Sequence, residues 1–81
     1  MKILYSQRFL KSFADAPPHI QKAFHKQLKF LLQNFHHSSL QTKKYDPARD
    51  IWQARVTRGL RFYFTIEGDA YHLHDIIPHP K

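Results

Sequence analysis

The chain has no cysteine, so neither a disulfide nor a thiolate metal site can brace it, and its core alone must supply stability. No apolar run approaches the roughly 20 residues that a bilayer crossing requires. The opening Met1-Lys2-Ile3-Leu4-Tyr5-Ser6 is too short an apolar stretch for a signal peptide. These absences lead us to expect a soluble, cytoplasmic protein with no membrane partner. Acidic residues are also scarce: six Asp and Glu stand against thirteen Lys and Arg, giving a formal charge of +7 with seven His in addition. Such an imbalance favours polyanionic partners, whether RNA, DNA or an acidic protein, over a surface that is basic only for solubility. Glycine is limited to Gly59 and Gly68, and both fall at turns. Internal repeats and low-complexity segments are absent.

What is present is apolar volume. Of 81 residues, 42% are hydrophobic and 15% aromatic, including seven Phe. That suffices for one domain, residues 1–81, with a two-layer core that needs no cofactor.

Lys2 to Tyr5 reads as a short strand. Ser6 can cap a following helix whose apolar positions Phe9, Leu10 and Phe13 recur at three- and four-residue spacing, and Ala16-Pro17-Pro18 stops it. Pro18 suits the first turn of a second helix, where its missing N–H is harmless. Ile20, Phe24, Leu28, Leu31 and Phe35 then follow at helical intervals. Lys22, Lys26, Lys29 and Gln33 on the other side read as a solvated face. From His36 to Asp50 there is no steady period, and Ser38-Ser39 and Asp46-Pro47 mark the stretch as loop.

From Ile51 onward the period becomes two. Trp52, Ala54, Val56, Phe62, Phe64 and Ile66 form one apolar side, while Arg55, Arg61 and Tyr63 share the other, a face suited to an anion. Burying both apolar sets predicts Val56 opposite Phe62 around a three-residue loop, Arg58-Gly59-Leu60. Arg55 then opposes Tyr63, Thr57 opposes Arg61, and the arginines become diagonal neighbours at about 7 to 8 Å, a span that suits one phosphate. Gly68-Asp69 suits a two-residue hairpin turn that pairs Ile66 with Tyr71 and Phe64 with Leu73. The same register sets His72 opposite Thr65, His74 opposite Tyr63 and Ile76 near Arg61, so both histidines join the arginine face. Asp75 becomes the misfit, on the apolar side opposite Phe62, at a frayed end or bonded to a backbone N–H. Pro78 and Pro80 end the sheet and leave His79 near its Arg61 end.

This order of elements, with Trp52-x-x-Arg55, Arg61-Phe62-Tyr63-Phe64, and Gly68-Asp69 leading to Ile76-Ile77-Pro78-His79, resembles the RelE/ParE superfamily of bacterial toxins over nearly the whole chain. The resemblance implies an α+β fold, β-α-α-β-β-β, with an antiparallel sheet carrying a helical hairpin on one face. It also implies a type II toxin that enters the ribosomal A site and cuts mRNA. A cognate antitoxin protein would silence it within a toxin–antitoxin hetero-oligomer. The scissile-phosphate contact is carried to Arg61 and the late histidine of the ribonuclease branch to His79. Lys43 and Lys44 match a basic pair that contacts RNA and helps activate the attacking hydroxyl, and Arg55 matches a basic position that is either ligand or support. The chain departs from the family pattern in lacking a carboxylate where some ribonuclease members keep a general base. It also lacks a C-terminal tyrosine used by others, which implies a weakened or rearranged mechanism.

Cleavage of RNA by its own 2′-hydroxyl needs a proton acceptor, cations for the charge growing on the phosphate, and a donor for the leaving 5′-oxygen, without a metal or cofactor. Arg61 and Arg55 suit the cationic task because guanidinium stays charged and offers forked donors. His79 suits the donor task, since imidazole titrates near neutrality. Lys44, Lys43, His72 and His74 are all candidate acceptors, with Lys44 favoured; a lysine would need neighbouring cations to lower its pKa. Lys43, Arg58, Tyr63, His72 and His74 are candidate RNA contacts. For Tyr63, stacking on a base competes with plain cross-strand packing. His72 and His74 share a face at two-residue spacing but have no clear third metal ligand. His19, His25, His36 and His37 read as solvated, and Trp52 as core. The alternative to the endoribonuclease is a gyrase inhibitor of the ParE kind, or a non-catalytic binding protein on the same fold.

Overall fold

A computed structural model describes residues 1–78. Lys2–Tyr5 form β1, and Ser6 turns the chain into helix α1, Gln7–Ala14. The Ser6 hydroxyl accepts the Phe9 N–H at 2.9 Å, the N-cap expected of it, and donates to the His74 carbonyl at 2.7 Å. Pro18 opens helix α2, Pro18–Gln33, at a position where no backbone donor is needed. Gln21 ties the two helices by donating to the carbonyls of Phe13 and Ala16. Phe9, Phe24, Leu28 and Leu31 are buried as their spacing predicts. Leu10 is 51% exposed, because a helix of 8 residues that turns Phe9 and Phe13 inward carries Leu10 outward.

Five strands make the sheet. After β1 come β2 (Lys43–Asp46), β3 (Ile51–Thr57), β4 (Leu60–Glu67) and β5 (Ala70–Pro78), in spatial order β1-β5-β4-β3-β2. The α+β order expected from the sequence holds, and the sheet is mixed because β1 runs parallel to β5. The stretch expected to be loop between His36 and Asp50 contains β2 and two short 3₁₀ turns, Ser38–Leu40 and Pro47–Arg49. Four residues interrupted by a bulge at Tyr45 carry no alternation from which a strand could be read.

Two further bulges reset the register. On β3, Trp52 pairs with Phe64, Ala54 with Phe62 and Arg55 with Arg61, and then Thr57 pairs with Leu60, so Val56 is the inserted residue. The hairpin turn is therefore Arg58-Gly59, and the pairing of Val56 with Phe62 does not form. The shift is two residues, so the side chains from Trp52 to Val56 keep their expected faces, whereas Thr57, beyond the bulge, pairs with Leu60 instead of Arg61 and turns to the core side. On β5, Phe64–Leu73, Thr65–His72 and Ile66–Tyr71 pair as expected, with Gly68 at φ 60° in the turn. His74 is then inserted, Tyr63 pairs with Asp75 and Phe62 with Ile76. This bulge removes the misfit: Asp75 moves to the face of Tyr63 while Ile76, 6% exposed, enters the core.

The helices cover Ala54, Val56, Phe62, Phe64, Leu73 and Ile76, and Leu40 closes the core from the 3₁₀ turn. Phe24 meets Phe62 edge-on at 5.3 Å. Trp52 packs on this cluster and against Phe35 at 5.1 Å, whereas Ile66, at the far end of the sheet, is exposed.

Candidate functional site

The sheet face opposite the helices gathers the residues singled out by alternation. Arg55 and Arg61 are direct partners there, closer than the diagonal arrangement expected. Arg61 folds over the hairpin, its Nη1 donating to the carbonyls of Thr57 at 2.9 Å and of Arg58 and Leu60 at 3.3 Å. Those carbonyls hold one end of the Arg61 guanidinium at the turn. Arg58 itself is exposed at the turn. The Arg55 backbone is pinned from α2: buried Gln27 donates to the Arg55 carbonyl at 2.8 Å and to the Ser39 carbonyl at 3.1 Å, and accepts from the Ser39 hydroxyl. That bond satisfies the edge of β3 beyond the reach of β2.

The lysine pair is divided between the two faces. Lys43 pairs with Gln53 on the arginine face, while Lys44 pairs with Trp52 on the helix side. The Lys44 ammonium is held 2.8 Å from Asp50 and 4.5 Å from the Trp52 ring centroid. His72 Nε2 lies 2.9 Å from a Glu67 carboxylate oxygen, and His74 Nε2 lies 2.9 Å from the Thr65 hydroxyl. The two histidines thus have separate partners. His37, expected to be solvated, instead stacks on Phe30 at 3.9 Å and accepts the Ser39 N–H. His79 lies outside the described residues.

Tyr63 is 5% exposed and packs edge-on against Tyr45 at 4.7 Å, the cross-strand role rather than an open stacking platform. Its hydroxyl is buried without a hydrogen-bond partner among the described residues. Burial raises its pKa first, the Tyr45 and Asp75 charges add to the rise, and Arg61 opposes it.

Around Tyr63 lies a cleft of about 210 Å³ whose other walls include Arg8, Arg49, His74, Asp75 and Ile77. Arg8 comes from the first turn of α1 and Arg49 from the 3₁₀ turn before β3, neither on a strand whose alternation could have flagged it. Arg49 is anchored by Asp46 at 2.7 Å, and this hydrogen bond is the main reason the Asp46 carboxyl titrates below its ordinary range. Asp75 accepts from the Ser12 hydroxyl at 2.9 Å and the Ile76 N–H at 2.8 Å, both through Oδ1. Guanidinium, imidazole and carboxylate groups on one concave surface can hold a polyanion and exchange protons with it.

No protein-family model matches the chain, and no curated protein matches it by sequence. Its structure, however, superposes on solved toxins. A YoeB/ParE toxin from Agrobacterium tumefaciens matches with TM-score 0.82 at 10% identity, covering 99% of this chain and 100% of the other. The YoeB dimer from Staphylococcus aureus matches with TM-score 0.82 at 13% identity, covering 99% and 98%. The archaeal RelE–RelB complex from Pyrococcus horikoshii OT3 matches with TM-score 0.77 at 12% identity, covering 95% and 92%. The expected resemblance holds at the level of fold, and the chain has the fold of the RelE/ParE toxins.

Proposed function

We propose that this chain, built on the RelE/ParE fold, is the toxin of a type II toxin–antitoxin pair and acts as a ribosome-dependent mRNA endoribonuclease, silenced by a cognate antitoxin protein. The carrying observation is the direct pairing of Arg55 and Arg61 on the uncovered face of a sheet in a chain of formal charge +7. Arginines paired on one face suit one phosphate, because two flexible, permanently charged side chains can converge on it and on the charge that builds during attack. Lys43, Arg58 and His72 extend the basic surface along the RNA, Tyr63 forms its floor with His74 beside it, and His79 donates the proton to the leaving 5′-oxygen. Lys44 is not given the acceptor role here, because it faces the helix side and its ammonium is engaged by Asp50. No metal or cofactor enters the scheme.

Primer extension on mRNA from cells expressing the protein tests this reading. We expect new 5′ ends inside translated codons and growth arrest, both lost in Arg61→Ala and His79→Ala. Intact mRNA accompanied by inhibited DNA supercoiling would replace the endoribonuclease with a gyrase inhibitor. Equal toxicity of the two variants would reject the proposed site.

A further inference from the structure

With Lys44 on the helix side the favoured acceptor for the 2′-hydroxyl proton is lost, and the open face supplies a carboxylate that strand alternation hides. We propose that Asp75 is the proton acceptor of the cleavage reaction, presented to the RNA by the bulge at His74. This inference rests on the endoribonuclease reading above.

Asp75 pairs with Tyr63 and lines the same cleft as Arg8, Arg49 and His74. Arg61 is two residues from Tyr63 on β4, so Asp75 and Arg61 are diagonal neighbours at about 7 to 8 Å on one face. A phosphate bound at Arg61 therefore sets its adjoining ribose over the row formed by Tyr63 and Asp75. The carboxylate is oriented in advance, because both hydrogen bonds from Ser12 and Ile76 fall on Oδ1. Among the described residues Oδ2 accepts no hydrogen bond and is the oxygen left to take a proton. The other acids near this face are committed elsewhere, Asp46 to Arg49 and Glu67 to His72. An unbulged β5 would bury Asp75 against Phe62. The inserted residue thus converts a core position into a working one.

In the step itself Oδ2 takes the 2′-hydroxyl proton as that oxygen forms a bond to phosphorus. The bond from phosphorus to the 5′-oxygen breaks, and the 5′-oxygen takes a proton from the His79 imidazolium. The products are a 2′,3′-cyclic phosphate and a 5′-hydroxyl, and Asp75 returns its proton through water to the neutral imidazole.

The test is single-turnover cleavage of mRNA on purified, programmed ribosomes, with thermal unfolding of each variant measured alongside. Asp75→Asn keeps an oxygen for Ser12 and Ile76 but cannot take the proton. We expect its maximal rate to fall by about 10²- to 10⁴-fold with half-saturation and melting temperature unchanged. Asp75→Glu, which keeps a carboxylate, should recover rate relative to Asp75→Asn. An Asp75→Asn rate within about threefold of wild type would overturn the assignment, as would a loss confined to half-saturation or matched by a loss of folded protein. A wild-type protein that leaves mRNA intact would instead remove the endoribonuclease reading itself.

Discussion

Single side chains on the open face balance folding against function. The Tyr63 hydroxyl is desolvated with no partner among the described residues, so it opposes folding. Tyr63→Phe should raise stability by about 1 kcal/mol, read as a higher urea midpoint at constant slope. The pH dependence has a defined sign. Burial raises the Tyr63 and Tyr71 pKa values above the ordinary 10.0. The folded state then holds its phenolic protons more tightly than the unfolded chain. That contribution is complete below pH 10.0 and lost as pH rises through the folded values. Melting temperature should fall on the alkaline side above about pH 10, and Tyr63→Phe should make the fall shallower. Asp46 acts in the opposite direction: its lowered pKa gives stability that is present above the ordinary carboxylate value and lost as acid protonates it.

Among the elements, hydrophobic period was enough to read α2, the faces of β3 and β4, and the hairpin at Gly68-Asp69. Phe24, Leu28 and Leu31 sit where the helical spacing puts them, and Leu73 lies opposite Phe64. What escaped was what period does not encode. A bulge adds one residue without altering the composition around it, so the insertions at Val56 and His74 left no trace except the apparent misfit of Asp75. β2 was hidden for the same reason. Of the candidate site, the arginine face was legible and its exact pairing was not. Arg8 and Arg49 come from outside the central strands, and the division between Lys43 and Lys44 depends on a strand that no pattern announced. The element joints give their own test. Gln27→Leu removes the donor that satisfies the Arg55 and Ser39 carbonyls, and should cost about 1 to 3 kcal/mol in chemical unfolding. Ser6→Ala should cost about 1 kcal/mol through loss of the α1 cap.

At the scale of the molecule, a helical layer covers one face of the sheet and leaves cations on the other. Binding to single-stranded RNA should weaken steeply with salt, and each phosphate contact removed should flatten the log–log slope by about 0.7. Arg61→Ala, measured by fluorescence anisotropy across a salt series, should show that decrement together with weaker affinity. A change in affinity with an unaltered slope would assign Arg61 to the hairpin turn alone.

The parallel seat of β1 beside β5 also has a temporal meaning. Lys2 through Tyr5 are aligned with Ala70 through Leu73, so the first strand to be synthesised waits for the last before it has a neighbour. A nascent chain halted before residue 70 lacks the partner that docks its leading segment, and loop-closure entropy delays that contact even in the finished polypeptide. The edge strand β1 therefore joins the sheet only once β5 exists to receive it.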